Sequence, residues 1–144
     1  MKISIIMPTY NPPIKYLEKA IQSIINQTSE KFELIIILDG SNKTTENICK
    51  KYKEKDKRIK IYWQKNKGEG GARNTGIEKA TNEWITFIDP DDWLERDAIE
   101  VMQECFKKKK ITKREARYNN IWYIYKLQKQ RRKKWVLHKR GNSK

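Results

Sequence analysis

The sequence predicts an α/β fold in which a mostly parallel sheet is flanked by helices. Strand-like and helix-like segments alternate along the first 105 residues, an order typical of parallel strands joined by crossover helices. The two most apolar strand candidates, residues 2–7 and 33–38, show no polar alternation, as expected for strands buried on both faces. In such sheets ligands bind beyond the carboxyl ends of the strands, so the residues that follow each strand are the first candidates for function.

The first half of the chain predicts two strand–helix pairs. Residues 2–7 are apolar and β-rich and are followed by a proline that is expected to end the strand. Apolar side chains then recur at three- and four-residue steps, which predicts a helix over residues 13–27. The second strand covers residues 33–38, and the helix after it is expected to be capped by Thr44 or Thr45 and to end near residue 55.

The second half predicts two further pairs. Residues 58–64 form the third strand, and the glycine-rich residues 68–71 are expected to be a loop before a helix at about 72–80. Residues 83–89 form the fourth strand. A last helix is predicted over residues 95–109, with three apolar side chains on one face: Ile99, Met102 and Phe106.

Charge divides the chain into two parts. Residues 1–105 carry 17 basic and 17 acidic side chains, whereas residues 106–144 carry 16 basic side chains against Glu115 alone. The whole net charge of +15 therefore lies in the second part. We divide the chain into a domain over residues 1–106 and a basic tail over residues 107–144.

Length and composition narrow the class of protein. A chain of 144 residues is one domain by length and can bury a core without disulfides. The two cysteines lie in no disulfide or metal pattern, which is typical of a reducing cytoplasm. No apolar run has the length of a signal peptide or a membrane span. The expected location is cytoplasmic, or peripheral at the inner face of the membrane.

Three carboxylates follow the fourth strand. Asp89, Asp91 and Asp92 offer hard oxygen ligands at a spacing that suits a divalent cation, which in turn can hold a diphosphate. Pro90 biases Asp89 towards an extended backbone, so its carboxylate emerges as the strand ends. The alternative is a solvated loop that caps the next helix.

Two other strand ends carry polar groups. Asp39 follows the second strand and can accept a hydrogen bond from the imide N–H of a nucleobase, or belong to an ordinary Asp-Gly turn. Pro8, Thr9 and Tyr10 follow the first strand, where the Tyr10 ring can lie on a base. The alternative there is a strand ended by proline that leads into a loop.

Arg73 lies in the glycine-rich entry to the third helix. The helix amides and the guanidinium can meet a diphosphate, although the glycine pattern is not a dinucleotide fingerprint. The alternative is close packing of helix on sheet, with Arg73 in a structural ion pair.

Together and in order, six segments resemble the family 2 glycosyltransferases, which are inverting sugar transferases of the Rossmann-like GT-A fold. The segments are residues 5–11, 21–28, 32–36, 39–41, 68–76 and 87–93. The resemblance implies that Pro8, Thr9 and Tyr10 line a nucleotide pocket and that Asp39 contacts the base, uracil in most relatives. It also implies a metal site at Asp89 and Asp91, with Asp92 adjacent.

The implied activity is transfer of a sugar, with inversion, from a nucleotide-diphospho-sugar to a glycan or lipid-linked acceptor. The implied cofactor is Mn²⁺ or Mg²⁺, which would bridge the diphosphate. Leu38 departs from the family, because it stands where the first Asp of an Asp-Asp-Gly-Ser motif is expected. The general base is unassigned: the acceptor half of the domain is expected to be missing, and the chain is expected to be truncated.

Three interpretations of the basic tail stay open. Tyr118, Trp122 and Tyr125 fall at helical spacing, which predicts a basic amphipathic helix on an anionic membrane surface. The tail can instead be the unfolded end of a truncated reading frame, and nucleic acid is the least favoured partner. The alternative to an active enzyme is therefore an inactive nucleotide-binding remnant or module whose tail binds an anionic surface or partner.

Overall fold

The computed structural model describes residues 1–107 and 124–126, and confirms a mostly parallel sheet flanked by helices. The strands are β1 (Ile3–Thr9), β2 (Phe32–Asp39), β3 (Ile59–Gln64), β4 (Trp84–Phe87) and β5 (Ile124–Lys126). The helices are α1 (Ile14–Ile25), α2 (Lys43–Lys55), α3 (Gly68–Lys79) and α4 (Ala98–Lys107). The sheet order is β3-β2-β1-β4-β5, with β1 to β4 parallel and β5 antiparallel to β4.

The core lies on both faces of the sheet. On one face, β1 and β2 pack against α1, α2 and α4 through side chains such as Leu17, Cys49 and Ile99. On the other face, Ile6 and Ile35 pack against Ala72 of α3. The continuous apolar runs of β1 and β2 are explained by this double cover. None of the helices in the described residues is long and apolar enough to cross a bilayer.

The first strand continues past the proline that was expected to end it. Pro8 pairs in register with Ile37 of β2, and β1 ends at Thr9. Along a strand, the backbone N–H and C=O groups of successive residues point alternately to the strand on one side and to the strand on the other. The carbonyl of Ile6 points towards β4, and it accepts from the backbone N–H of Ile88 at 3.0 Å. Pro8 faces the same side, beyond the last pair of β1 with β4. The missing N–H of Pro8 therefore costs no sheet hydrogen bond.

Two helix starts differ from the predictions. The helix α2 is capped by Asn42 and not by Thr44 or Thr45. The side-chain oxygen of Asn42 accepts from the backbone N–H of Thr45 at 2.9 Å. The glycine-rich segment is the first turn of α3 rather than a loop, because the helix begins at Gly68. An ion pair one turn apart, between Glu69 and Arg73, supports this early start.

The last predicted elements are shorter than expected. The strand β4 ends at Phe87 because a turn follows it. In this turn the backbone N–H of Asp92 donates to the carbonyl of Asp89. The helix α4 begins at Ala98. In the tail, Ile124–Lys126 is a short strand and not the predicted helix. Residues 108–123 and 127–144 lie outside the described residues, as does the side chain of Phe106.

A buried polar network lies at the amino ends of the strands, away from the carboxyl edge. The Glu33 carboxylate accepts from Ser4 Oγ at 2.6 Å, from Lys60 Nζ at 2.6 Å and from both the backbone N–H and the hydroxyl of Thr81 at 2.8 Å. Burial by itself would raise the pKa of Glu33. The hydrogen bonds from Lys60, Ser4 and Thr81 outweigh it, so the pKa lies below its ordinary value of 4.5.

Glu33→Gln is expected to lower the free energy of unfolding at pH 7 by about 1 kcal/mol, because the ion pair with Lys60 is lost. A lowered pKa in the folded state stabilises the protein above the unfolded value and is lost as pH falls through the folded value. Urea unfolding should therefore show a smaller loss of stability below pH 4.5 in Glu33→Gln than in the wild type. Glu54→Gln, at an exposed position, is the matched control. Parallel pH profiles for the wild type and Glu33→Gln would contradict the assignment.

Candidate functional site

The carboxyl ends of three strands meet at one cavity of about 320 Å³. Residues from the ends of β1 and β2, from the turn after β4 and from the first turn of α3 line it. Six residues predicted from the sequence are among them: Pro8, Thr9, Tyr10, Asp39, Asp89 and Asp91. Parallel strands that end at one edge bring these segments together although they lie far apart in sequence.

The exits of β1 and β2 are joined by hydrogen bonds. Ser41 Oγ donates to the carbonyl of Thr9 at 2.7 Å, and the backbone N–H of Asn42 donates to Asn11 Oδ1 at 2.7 Å. Asn11 has a positive φ of 42°, which turns the chain sharply after Tyr10. Tyr10 remains 58% exposed, so its ring is available to a ligand in the cavity.

Asp39 is buried at the end of β2 and is held from one side. Its Oδ1 accepts from Gln64 Nε2 at 2.7 Å and from the backbone N–H of Lys67 at 2.8 Å. The residue is 3% exposed yet lines the cavity. Gly40, with φ +74°, follows it, and a side chain there would press on Asn66.

The three carboxylates after β4 lie close together. Asp89, Asp91 and Asp92 can each place one oxygen within 4.8 Å of the others. Asp89 is partly buried, whereas Asp91 and Asp92 are exposed. Oxygen donors at this spacing fit a hard divalent cation such as Mn²⁺ or Mg²⁺. Asp92 does not line the cavity, although its carboxylate belongs to the same cluster.

Arg73 lies beside the acidic cluster and is paired within the protein. Its guanidinium reaches Asp89 Oδ1 at 3.1 Å, forms the ion pair with Glu69 and lies 5.5 Å from the centroid of the Phe87 ring. Its Nε is buried and has no hydrogen-bond partner among the described residues. The structure thus shows the ion-pair alternative, and contact of Arg73 with a diphosphate stays a prediction.

Several residues at the cavity were not predicted as site residues. Asn66 and Glu69 line it, and Gln64 and Lys67 hold Asp39 without lining it. The rule that ligands bind beyond strand ends also applies to Gln64 at the end of β3, so this position could have been found from the sequence. The roles of Lys67 and Glu69 depend on α3 beginning at Gly68, which the glycine-rich sequence did not indicate.

Comparison with known proteins decides the family. The family described as "Glycosyl transferase family 2" matches residues 4–142. The chain belongs to this family. The resemblance predicted from residues 1–105 is confirmed, and the match to glycosyl transferase family 2 continues through most of the basic tail.

Individual relatives in the family agree with this assignment. The glycosyltransferase GlyA of Streptococcus pneumoniae serotype 4 is 42% identical over 101 residues, which are 70% of this chain and 14% of that protein. The putative glycosyltransferase EpsH of Bacillus subtilis is 41% identical over 69% of this chain and 29% of its own length. Both relatives are named glycosyltransferases, so the chain is an enzyme by ancestry. It spans well under half of the length of either relative.

A solved structure shows the same fold. Staphylococcus aureus TarS, residues 1–349, in complex with UDP-GlcNAc, has a TM-score of 0.69 and 29% identity, with 75% of this chain and 32% of that chain covered. The predicted GT-A fold is thus confirmed for the four parallel strands and the helices that flank them.

Proposed function

We propose that the protein binds a UDP-linked sugar in this cavity and transfers the sugar, with metal assistance and inversion, to a glycan or lipid-linked acceptor. The observation that carries the proposal is the convergence of Asp39, the Pro8-Thr9-Tyr10 segment and the acidic cluster on one cavity. A base-binding carboxylate and a cation-binding cluster on the same cavity match the two ends of a nucleoside diphosphate.

The nucleoside end of the donor is assigned to the side of the cavity formed by β1 and β2. Asp39 would accept a hydrogen bond from the imide N–H of uracil, and the exposed Tyr10 ring would lie against the base. TarS, with which this chain shares its fold, has been solved with UDP-GlcNAc, which supports a UDP-linked donor.

The diphosphate end is assigned to the acidic cluster. Asp89 and Asp91 line the cavity and Asp92 follows them, so these three residues would hold Mn²⁺ or Mg²⁺. The bound ion would act as a Lewis acid that stabilises the departing nucleoside diphosphate. Arg73 would keep Asp89 oriented towards the cavity through its ion pair.

Inversion requires the acceptor hydroxyl to attack the anomeric carbon from the face opposite the diphosphate. A carboxylate within hydrogen-bond reach of that hydroxyl would take its proton. We assign this role to no described residue. The described residues therefore form a cavity for the donor, whereas turnover also needs a base that none of them is assigned to supply.

Calorimetric titration of UDP, with Mn²⁺ and then with EDTA, tests the donor site. We expect UDP to bind in Mn²⁺ and to bind at least about tenfold more weakly in EDTA, because the ion offsets the repulsion between carboxylates and diphosphate. Circular dichroism on the same sample establishes that it is folded. Equal affinity in both conditions, or no binding by folded protein, would contradict the proposal.

A further inference from the structure

Gln64 contacts Asp39, the carboxylate that is assigned to the base in the proposed function. It lies on β3 directly opposite Asp39 in the parallel register of β2 and β3, and its Nε2 donates to Asp39 Oδ1 at 2.7 Å. The backbone N–H of Lys67 donates to the same oxygen at 2.8 Å. The opposite orientation of the Gln64 amide would set its oxygen against the carboxylate, so the donor must face Asp39.

Both hydrogen bonds to the Asp39 carboxylate end on Oδ1, which leaves Oδ2 for a ligand. With Oδ1 held by Gln64 and Lys67, rotation of the Asp39 carboxylate is restricted. No described residue donates to Oδ2. Because Asp39 lines the cavity, Oδ2 is left as a hydrogen-bond acceptor at a fixed position. The site therefore favours a ligand that places a hydrogen-bond donor at that position.

Pyrimidine bases differ at the atom that would meet this acceptor. Uracil carries an N–H at ring position 3, whereas cytosine carries an unprotonated nitrogen there. The uracil imide can donate to Oδ2, but the cytosine nitrogen would face it as a second acceptor. A buried polar group that loses its partner in this way discriminates strongly between ligands.

The stability of the fold does not by itself account for a glutamine at this position. Gln64 Oε1 is buried and has no hydrogen-bond partner among the described residues. A buried acceptor without a partner costs free energy, which an apolar side chain of the same shape would avoid. The bond from Nε2 to Asp39 is therefore the contribution that is specific to glutamine.

We propose that Gln64 is a positioning residue that sets the base preference of the donor site, by holding Asp39 so that it accepts from a uracil imide and disfavours cytosine. This inference rests on the proposed function. The new element is Gln64, a side chain outside the cavity on which the choice of nucleotide would depend.

The test is the ratio of UDP affinity to CDP affinity, measured by calorimetry in Mn²⁺. We expect the wild type to prefer UDP, and Gln64→Met, which keeps the length and packing of the side chain, to lower that ratio about tenfold. The metal dependence of UDP binding should persist in Gln64→Met, since the acidic cluster is untouched. A purely structural role would weaken UDP and CDP binding equally.

Gln22→Met is the matched control, because Gln22 Nε2 also makes one hydrogen bond, to Tyr52 Oη at 2.8 Å, but outside the site. Gln64→Leu, which also removes the donor, repeats the test if the methionine variant fails to fold. An unchanged ratio in the Gln64 variants, or a wild type with metal-dependent binding but no base preference, would overturn this inference alone. A folded wild type that binds neither nucleotide would overturn the proposed function as well.

Discussion

Gly76→Ala is expected to lower the free energy of unfolding by about 1–3 kcal/mol or more. A Cβ on Gly76 would overlap Cγ2 of Ile6, which is fully buried in the middle of β1. The flexible end of a side chain could move aside, but Ile6 is held between the sheet and α3 in a closely packed core. The helix α3 would therefore have to move away from the sheet.

Gly70→Ala in the same helix is the control for this prediction. Apart from the chain neighbours and the backbone of α3, no atom lies within 4 Å of a Cβ at Gly70, so alanine there should stabilise the helix by about 0.5–1 kcal/mol. Urea unfolding of both variants would separate the steric effect at Gly76 from the general effect of replacing a helical glycine. If the two variants shifted stability in the same direction, α3 would not pack on β1 as closely as the structure shows.

Asp91→Ala is expected to remove the metal dependence of UDP binding. Asp91 lines the cavity, is exposed and lies in the cluster whose oxygens come within 4.8 Å of one another. Unlike Asp89, it makes no ion pair with Arg73, so its removal leaves that pair intact. Affinity for UDP in Mn²⁺ should fall at least about tenfold, to the level measured in EDTA.

Glu95→Ala on the same loop is the matched control for Asp91→Ala. Glu95 is exposed, and its backbone carbonyl accepts from Gln27 Nε2 and from the backbone N–H of Ala98, contacts that an alanine would keep. Its replacement should leave both the affinity and the effect of EDTA unchanged. If Asp91→Ala kept full metal dependence, the ion would have to be held without Asp91, and the assignment of the cluster would be wrong.

The leading features of the fold were predictable because they depend on local sequence. Apolar runs without alternation predicted β1 and β2, and three- and four-residue spacing predicted α1. The boundaries were less accurate where a local signal was weak or ambiguous. Pro8 normally ends a strand, but its position beyond the last β4 pair made it harmless. Glycines 68, 70 and 71 suggested a loop but form the first turn of α3.

The sequence by itself determined the order of the first four strands and of the four helices along the chain, and the polar residues at the strand ends, including Asp39 and the acidic cluster. These follow from the period of apolar residues and from the rule that parallel strands present their carboxyl ends at one edge. Only the tertiary structure decided that Gln64 holds Asp39, that Arg73 pairs with Asp89 and that Gly76 lies against Ile6. Such contacts join residues distant in sequence, and they depend on strand register and on how a helix lies on the sheet, which no local pattern specifies.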